Sequence, residues 1–193
     1  MDAERNVRPG PEEVLERLMQ GNARFAEGRP LHPRGTPADR EAGVWGQRPL
    51  AAVLGCSDSR VPPERVFDMG LGDLFVVRTA GGAVDEAVLG TLEFAVDHLR
   101  IPLVMVLAHS GCGFIEAVLS GREPPGALGA MVRSARPKVA GSAGVAEAAE
   151  AHARHTAARI LRALGGEGGA GKGGPVRVVS AYYDMETGRV CLV

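Results

Sequence analysis

Hydrophobic positions along the chain follow two alternating patterns. Short, continuous apolar runs are typical of strands buried on both faces, and they occupy residues 49–55, 73–80 and 102–108. Helical spacing of apolar residues, or strong helix-forming composition, occupies residues 11–26, 83–100, 113–120 and 144–164. Near the end, residues 176–184 and 189–193 predict a strand, a turn and a short antiparallel strand. This order predicts an α/β fold with a mainly parallel β-sheet flanked by helices and a short antiparallel C-terminal edge strand.

The region before the first apolar run has a different character. Residues 28–49 carry four of the 13 prolines, which predicts an extended arm after the first helix. We therefore expect a single domain over residues 1–193, in which 1–48 form an N-terminal helical arm and 49–193 form the α/β core. The arm could dock on a partner subunit or pack on its own domain, and the sequence favours neither.

Composition limits the classes of partner. The chain has 193 residues, of which 45% are apolar and 23% charged, with a net charge of −1. This balance predicts no nucleic acid partner and no membrane partner, and no apolar stretch reaches the roughly 18 to 20 residues of a bilayer span. The first residues contain no apolar signal core, so we expect a cytoplasmic protein. Three cysteines cannot all pair with one another, which favours free thiols or metal ligands.

Residues with metal-binding chemistry follow two of the predicted strands. Cys56 ends the first strand, and His109 and Cys112 follow the third. Parallel strands place their carboxyl ends at one edge of the sheet, so the three side chains converge if these strands are neighbours. Two thiolates and one imidazole suit Zn²⁺, and a site with three protein ligands leaves the fourth position open, as catalytic zinc sites do.

Asp58 and Arg60 come directly after the first of these ligands. Two residues apart in an extended segment, their side chains lie on the same side and predict an ion pair that keeps Asp58 ionised. Asp58 could then occupy the fourth zinc position or stay on Arg60 and accept a hydrogen bond from water. A simple salt bridge at the end of the strand remains the alternative.

These residues belong to a longer pattern that resembles the β-class carbonic anhydrases. The matching segments are GNARF (21–25), QRP (47–49), CSDSRVPPE (56–64), FDMGLGDLFVVRTAG (67–81), HSGCG (109–113) and YYDMETGRV (182–190). The resemblance implies a zinc lyase that reversibly hydrates carbon dioxide to bicarbonate and a proton through zinc-bound hydroxide, with one Zn²⁺ per chain. It also implies a homodimer or a dimer of dimers.

The resemblance assigns roles to individual residues. It implies a metal site formed by Cys56, His109, Cys112 and, in one state, Asp58. It pairs Asp58 with Arg60 as the catalytic dyad. It further implies that substrate is contacted by Gln47, Phe75, Phe94 and Gly113.

Two other functions remain compatible with the same residues. One is a carbonyl sulfide or carbon disulfide hydrolase on the same fold, because both molecules are linear like CO₂. The other is a non-catalytic zinc-binding protein, which predicts four permanent ligands and makes no use of Asp58, Arg60 or Gln47.

Several remaining features predict structure only. The segment GEGGAGKG (166–173) lacks the Ser or Thr of a phosphate-binding loop and predicts a surface loop. We expect His152 and His155 to lie on a solvated face of their helix. We expect Cys191 to be a small buried side chain in the last strand. Residues 121–143 give no clear pattern.

Overall fold

A five-stranded sheet organises the molecule. The computed structural model describes residues 8–165 and 176–193, so the segment 166–173 lies outside the described residues. The strands are β1 (Ala51–Cys56), β2 (Leu74–Thr79), β3 (Leu103–His109), β4 (Arg177–Tyr183) and β5 (Val190–Leu192). Their order across the sheet is β2-β1-β3-β4-β5, with the first four parallel and β5 antiparallel to β4. The predicted mainly parallel sheet with an antiparallel edge strand is confirmed.

Helices cover both faces of this sheet. They are α1 (Pro11–Ala26), α2 (Pro37–Ala42), α3 (Pro63–Val66), α4 (Glu86–Asp97), α5 (Gly113–Leu119), α6 (Gly126–Ala135) and α7 (Val145–Ala163). Alternate strand residues point to opposite faces: Val53 packs in the cluster that contains α1, while Leu54 packs with α4 and α7. Within the described ranges, no helix combines the length and the apolar character that a bilayer span requires.

Helix α1 packs on its own chain and spans the predicted residues. Its apolar side chains Val14 and Leu18 are fully buried against the sheet. The buried Asn22 amide donates to the carbonyls of Val66 and Gly188, and its oxygen accepts the N–H of Val190. These three bonds tie the helix to the end of α3 and to the C-terminal hairpin, so this helix takes the second of the two arrangements left open by the sequence.

The arm at residues 28–49 is less extended than predicted. It contains α2, which forms because Thr36 and Asp39 make a reciprocal cap: each side chain accepts the backbone N–H of the other residue. A short 3₁₀ turn, Gly43–Trp45, follows it.

A buried carboxylate fixes the start of this arm. Asp68 accepts the backbone N–H groups of Leu31 and His32, each at 2.9 Å, and the guanidinium of Arg24 at 2.7 Å. Burial alone would raise the pKa of Asp68, but these donors outweigh it and lower the pKa below its ordinary value.

Two regions near the C-terminal half differ from the sequence expectation. Residues 121–143, which gave no pattern, contain α6 and a 3₁₀ turn at Arg136–Val139. Cys191 was predicted to be buried and is exposed, because β5 lies at the edge of the sheet and its last two residues face solvent.

Candidate metal centre

Strand order brings the three predicted metal ligands together. Strands β1 and β3 are direct neighbours, so Cys56 and His109 finish at the same edge of the sheet. The chain then turns at Gly111, whose φ of 60° lies in the left-handed region, and Cys112 becomes the N-cap of α5. The ligand atoms of Cys56, His109 and Cys112 all lie within 4.8 Å of one another, and the three residues are buried.

The donor atoms fit a tetrahedral zinc ion. The two sulfur atoms are 4.0 Å apart, and two thiolates bound at 2.3 Å in a tetrahedron would be about 3.8 Å apart. His109 donates from Nδ1 to the carbonyl of Ser110 at 2.8 Å. That bond leaves the lone pair on Nε2, and this buried atom has no partner among the described residues. A backbone carbonyl that fixes the imidazole in this way is the usual support of a metal-binding histidine.

The electrostatics of the cluster favour a thiolate. The thiol of Cys112 lowers the pKa of Cys56 to about 4 against the opposing effect of burial, and His109 and the N–H of Gly81 contribute in the same direction. The negative sulfur of Cys56 in turn raises the pKa of Cys112. Burial alone would lower the pKa of His109, but its contact with Cys56 raises it. The cluster therefore keeps one thiolate, that of Cys56, where a cation would bind.

Asp58 stands beside the cluster in a bidentate pair with Arg60. The guanidinium donates from Nε at 2.9 Å and from Nη2 at 2.7 Å to the two carboxylate oxygens, and the N–H of Arg60 adds a third bond at 2.9 Å. Arg60 also donates to the carbonyl of Gly111 at 3.2 Å. The hydrogen bonds from Arg60 lower the pKa of Asp58 far below its ordinary value, so the carboxylate is ionised.

Two further residues support the first ligand and were missed from the sequence. Arg78 donates to the carbonyls of Cys56 and Asp58, which fixes the backbone between the ligand and the ion pair. Gly81 donates its N–H to the sulfur of Cys56 at 3.3 Å. Arg78 lies near the end of β2, opposite Gly55 in register, and this position at the carboxyl edge of the sheet was the signal available for it.

The four residues implied to contact substrate fall into two groups. Gly113 is the first residue of α5, next to Cys112. Phe75 lies opposite Ala52 of β1. Ala52 comes four residues before Cys56, so Phe75 is displaced from that ligand by roughly 13 Å along the strand direction. Phe94, which is 45% exposed, has its ring 6.4 Å from that of Phe75. Gln47 precedes the amino end of β1 and lines a cavity formed by the arm. Within one chain, these last three residues are remote from the ligands.

His152 differs from the sequence expectation. It was predicted on a solvated face, but its side chain is buried, and neither ring nitrogen has a partner among the described residues. Its ring lies 6.1 Å from that of Phe114, and it borders the same narrow gap as the three ligands. His155, one turn away, is exposed as predicted.

The fold and the cluster together define an α/β protein with a Cys₂His cluster, able to hold a metal ion, at the carboxyl ends of its parallel strands. Residues 51–190 match the family model described as carbonic anhydrase, and the chain belongs to the β class of this family.

Individual relatives agree with this assignment. The chain is 48% identical over 126 residues to the carbonic anhydrase of Mycolicibacterium smegmatis, covering 63% of this chain and 61% of that protein. It is 47% identical over 125 residues to carbonic anhydrase 2 of Mycobacterium tuberculosis, covering 65% and 60%. The β-carbonic anhydrase of Coccomyxa, solved in complex with acetazolamide, superimposes with a TM-score of 0.70 at 25% identity over 93% of this chain and 86% of that one. The match thus spans about three fifths of the length of the two mycobacterial relatives.

Proposed function

We propose that this protein is a zinc-dependent carbonic anhydrase that reversibly hydrates carbon dioxide to bicarbonate and a proton. The observation that carries the proposal is the buried cluster of Cys56, His109 and Cys112 beside an ionised Asp58. Two relatives at 47–48% identity are named carbonic anhydrases, which supports CO₂ over carbonyl sulfide or carbon disulfide as substrate.

Different residues of this chain have different roles in the proposed reaction. Zinc, when bound, supplies a Lewis acid that makes water a nucleophile near neutral pH. Cys56, Cys112 and His109 would hold one Zn²⁺ per chain, with two thiolates balancing its charge. Arg60 holds Asp58 ionised and oriented, so that Asp58 can accept a hydrogen bond from water or itself take the fourth position on the metal. The N–H of Gly113, next to Cys112, would donate to a substrate oxygen.

A second copy of the chain would complete the substrate pocket. Gln47, Phe75 and Phe94 are too far from the ligands to act within their own subunit, although the family resemblance implies that they contact substrate. β2 is an edge strand of the sheet, and Phe94 beside it and Trp45 in the arm are exposed, Trp45 by 93%. Burial of such rings is a strong driving force for association. We therefore propose a homodimer or a dimer of dimers.

The alternative of a non-catalytic zinc-binding protein is less well supported. That function predicts four permanent ligands, whereas the candidate cluster found in residues 8–165 and 176–193 has three. We further propose that residues 1–193 form one domain and that the protein is cytoplasmic, since a reducing compartment keeps the ligand thiols free.

Substitution of Asp58 by Asn tests this function. The amide keeps the shape of the side chain but cannot serve as the ionised acceptor, so stopped-flow CO₂ hydration should fall by about 10²-fold or more, while zinc stays near one per chain. Glu13→Gln is the matched control, because it breaks an exposed carboxylate–arginine pair with Arg17 on α1.

Two results of these assays would contradict different parts of the proposal. Unchanged hydration in Asp58→Asn would remove Asp58 from the mechanism. A zinc-loaded wild-type protein that does not accelerate CO₂ hydration would refute the proposed function itself.

A further inference from the structure

A cavity of about 240 Å³ lies next to the metal centre, between the turn before α4 and the helices α6 and α7. Its wall is largely apolar, with Val84 and Met131 as the larger side chains, and its polar lining includes Ser134, Lys138 and His152. None of the three metal ligands lines it. The cavity is therefore distinct from the narrow gap that the three ligands line, although His152 borders both.

His152 contributes an unsatisfied polar group to this cavity. The residue is 3% exposed, and neither of its ring nitrogens has a hydrogen-bond partner in the described part of the chain. Burial, followed by the nearby charge of Lys138 and by His155, lowers the pKa of His152 to about 4 against a smaller opposing effect of the Gly81 backbone, which lies outside hydrogen-bond geometry. The imidazole is thus neutral and offers one N–H donor. A buried polar side chain without a partner is uncommon and calls for an explanation, such as a ligand that binds there.

Lys138 contributes positive charge that no carboxylate offsets. It is half-buried and forms no ion pair within residues 8–165 and 176–193. Burial and then the positive charge of the neighbouring Arg159 lower the pKa of Lys138. Asp85 also borders the cavity, but its carboxylate already caps α4 by accepting the N–H of Val88.

We propose that this cavity binds a short aliphatic monocarboxylate. The carboxylate would lie between the ammonium group of Lys138 and the N–H of His152, and the alkyl end would pack against Val84 and Met131. A single lysine and a largely apolar wall favour one negative charge with an apolar tail over a polyanion such as phosphate. The ligand supplies the partner that His152 lacks and the counter-charge that Lys138 lacks.

Methyl NMR of Met131 tests the proposal directly. The zinc-loaded protein is labelled with [¹³C-methyl]methionine, the Met131 signal is assigned with Met131→Leu, and butyrate is titrated. We expect a saturable shift of the Met131 signal. Lys138→Gln and His152→Phe should each weaken the apparent affinity by about tenfold, the loss typical of one charged or buried hydrogen bond. His155→Phe, the same substitution on the exposed side of the helix, should leave the affinity unchanged.

The remaining outcomes overturn the proposal. A Met131 signal that does not saturate with butyrate shows that the cavity takes no carboxylate. Equal affinity in wild type, Lys138→Gln and His152→Phe shows that the two polar groups do not form the site. Tighter binding of bicarbonate than of butyrate at Met131 shows that the apolar wall does not select the ligand. Because the readout is the Met131 signal and not turnover, none of these results depends on CO₂ hydration.

Discussion

Substitution of Gly81 by alanine tests how the turn behind the metal ligands is stabilised. Gly81 has φ 64° and ψ 12°, and its N–H donates to the sulfur of Cys56. A Cβ at this position would lie 2.1 Å from Cδ1 and 2.7 Å from Cγ of Phe114, which is itself buried. The substitution therefore combines backbone strain with a steric clash.

The two costs can be estimated separately. An L-residue in the left-handed region costs about 1–2 kcal/mol. Forcing extra volume into a packed site adds about 1–3 kcal/mol. Loss of chain freedom in the unfolded state offsets roughly 0.4–1 kcal/mol of this. We expect Gly81→Ala to lower the free energy of unfolding by about 2–4 kcal/mol.

Gly82 provides a matched control on the same turn. Its φ is 66°, but a Cβ there would meet nothing closer than 3.9 Å. Gly82→Ala therefore carries the strain without the clash, and it should cost about 1 kcal/mol. Urea denaturation of the zinc-loaded proteins at one protein concentration measures both values. The clash should also move the N–H away from Cys56 and weaken zinc binding in Gly81→Ala alone.

A double variant decides whether the ring is responsible. Phe114→Leu removes the ring edge, so it should recover part of the loss in Gly81→Ala through a positive coupling between the two sites. If Gly81→Ala is no less stable than Gly82→Ala, or if Phe114→Leu recovers nothing, the packing argument is wrong.

Two further predictions concern the buried polar groups that anchor the N-terminal region. Asn22→Ala removes the three hydrogen bonds of a buried side chain and should lower the free energy of unfolding by about 3–5 kcal/mol in urea denaturation. Gln20→Ala on the exposed side of α1 should change it by under about 1 kcal/mol. Asp68 has a folded pKa below the unfolded value of about 3.9, so its contribution is complete above that pH and is lost as the pH falls through the folded pKa. Asp68→Asn should therefore flatten the dependence of stability on pH below about pH 4, and a slope equal to that of the wild type would contradict this account.

The convergence of the metal ligands could be predicted because it follows from topology. Apolar runs identified β1 and β3, and parallel strands place their carboxyl ends at one edge of the sheet, which brings Cys56 and His109 together. The short HxxC spacing then placed Cys112 at the start of α5. Asp58 and Arg60 are two residues apart, so their ion pair required only local geometry.

Long-range packing explains most of what the sequence left open or misjudged. The support that Arg78 gives to Cys56 depends on the register of β2 against β1, which no local pattern fixes. Cys191 was expected to be a buried small side chain in the last strand, but whether an edge strand is covered depends on the elements packed over it. α6 was missed because its glycine- and alanine-rich sequence has few large apolar residues, and it is stabilised by packing beside the metal centre.

The burial of His152 follows from the spacing of the buried residues along α7. Ala149, Ala153, Thr156 and Ile160 are buried and lie on one stripe of α7 at intervals of three and four residues, and His152 falls within that stripe, whereas His155 falls outside it. Small residues around a histidine on the apolar stripe of a helix place its ring in the protein interior, where hydrogen-bond partners are scarce. An imidazole kept there without a partner costs stability relative to an apolar side chain of similar size. The same position that makes His152 unfavourable for folding opens its ring to the cavity that Lys138 also lines, where the proposed carboxylate would supply the partner that packing does not.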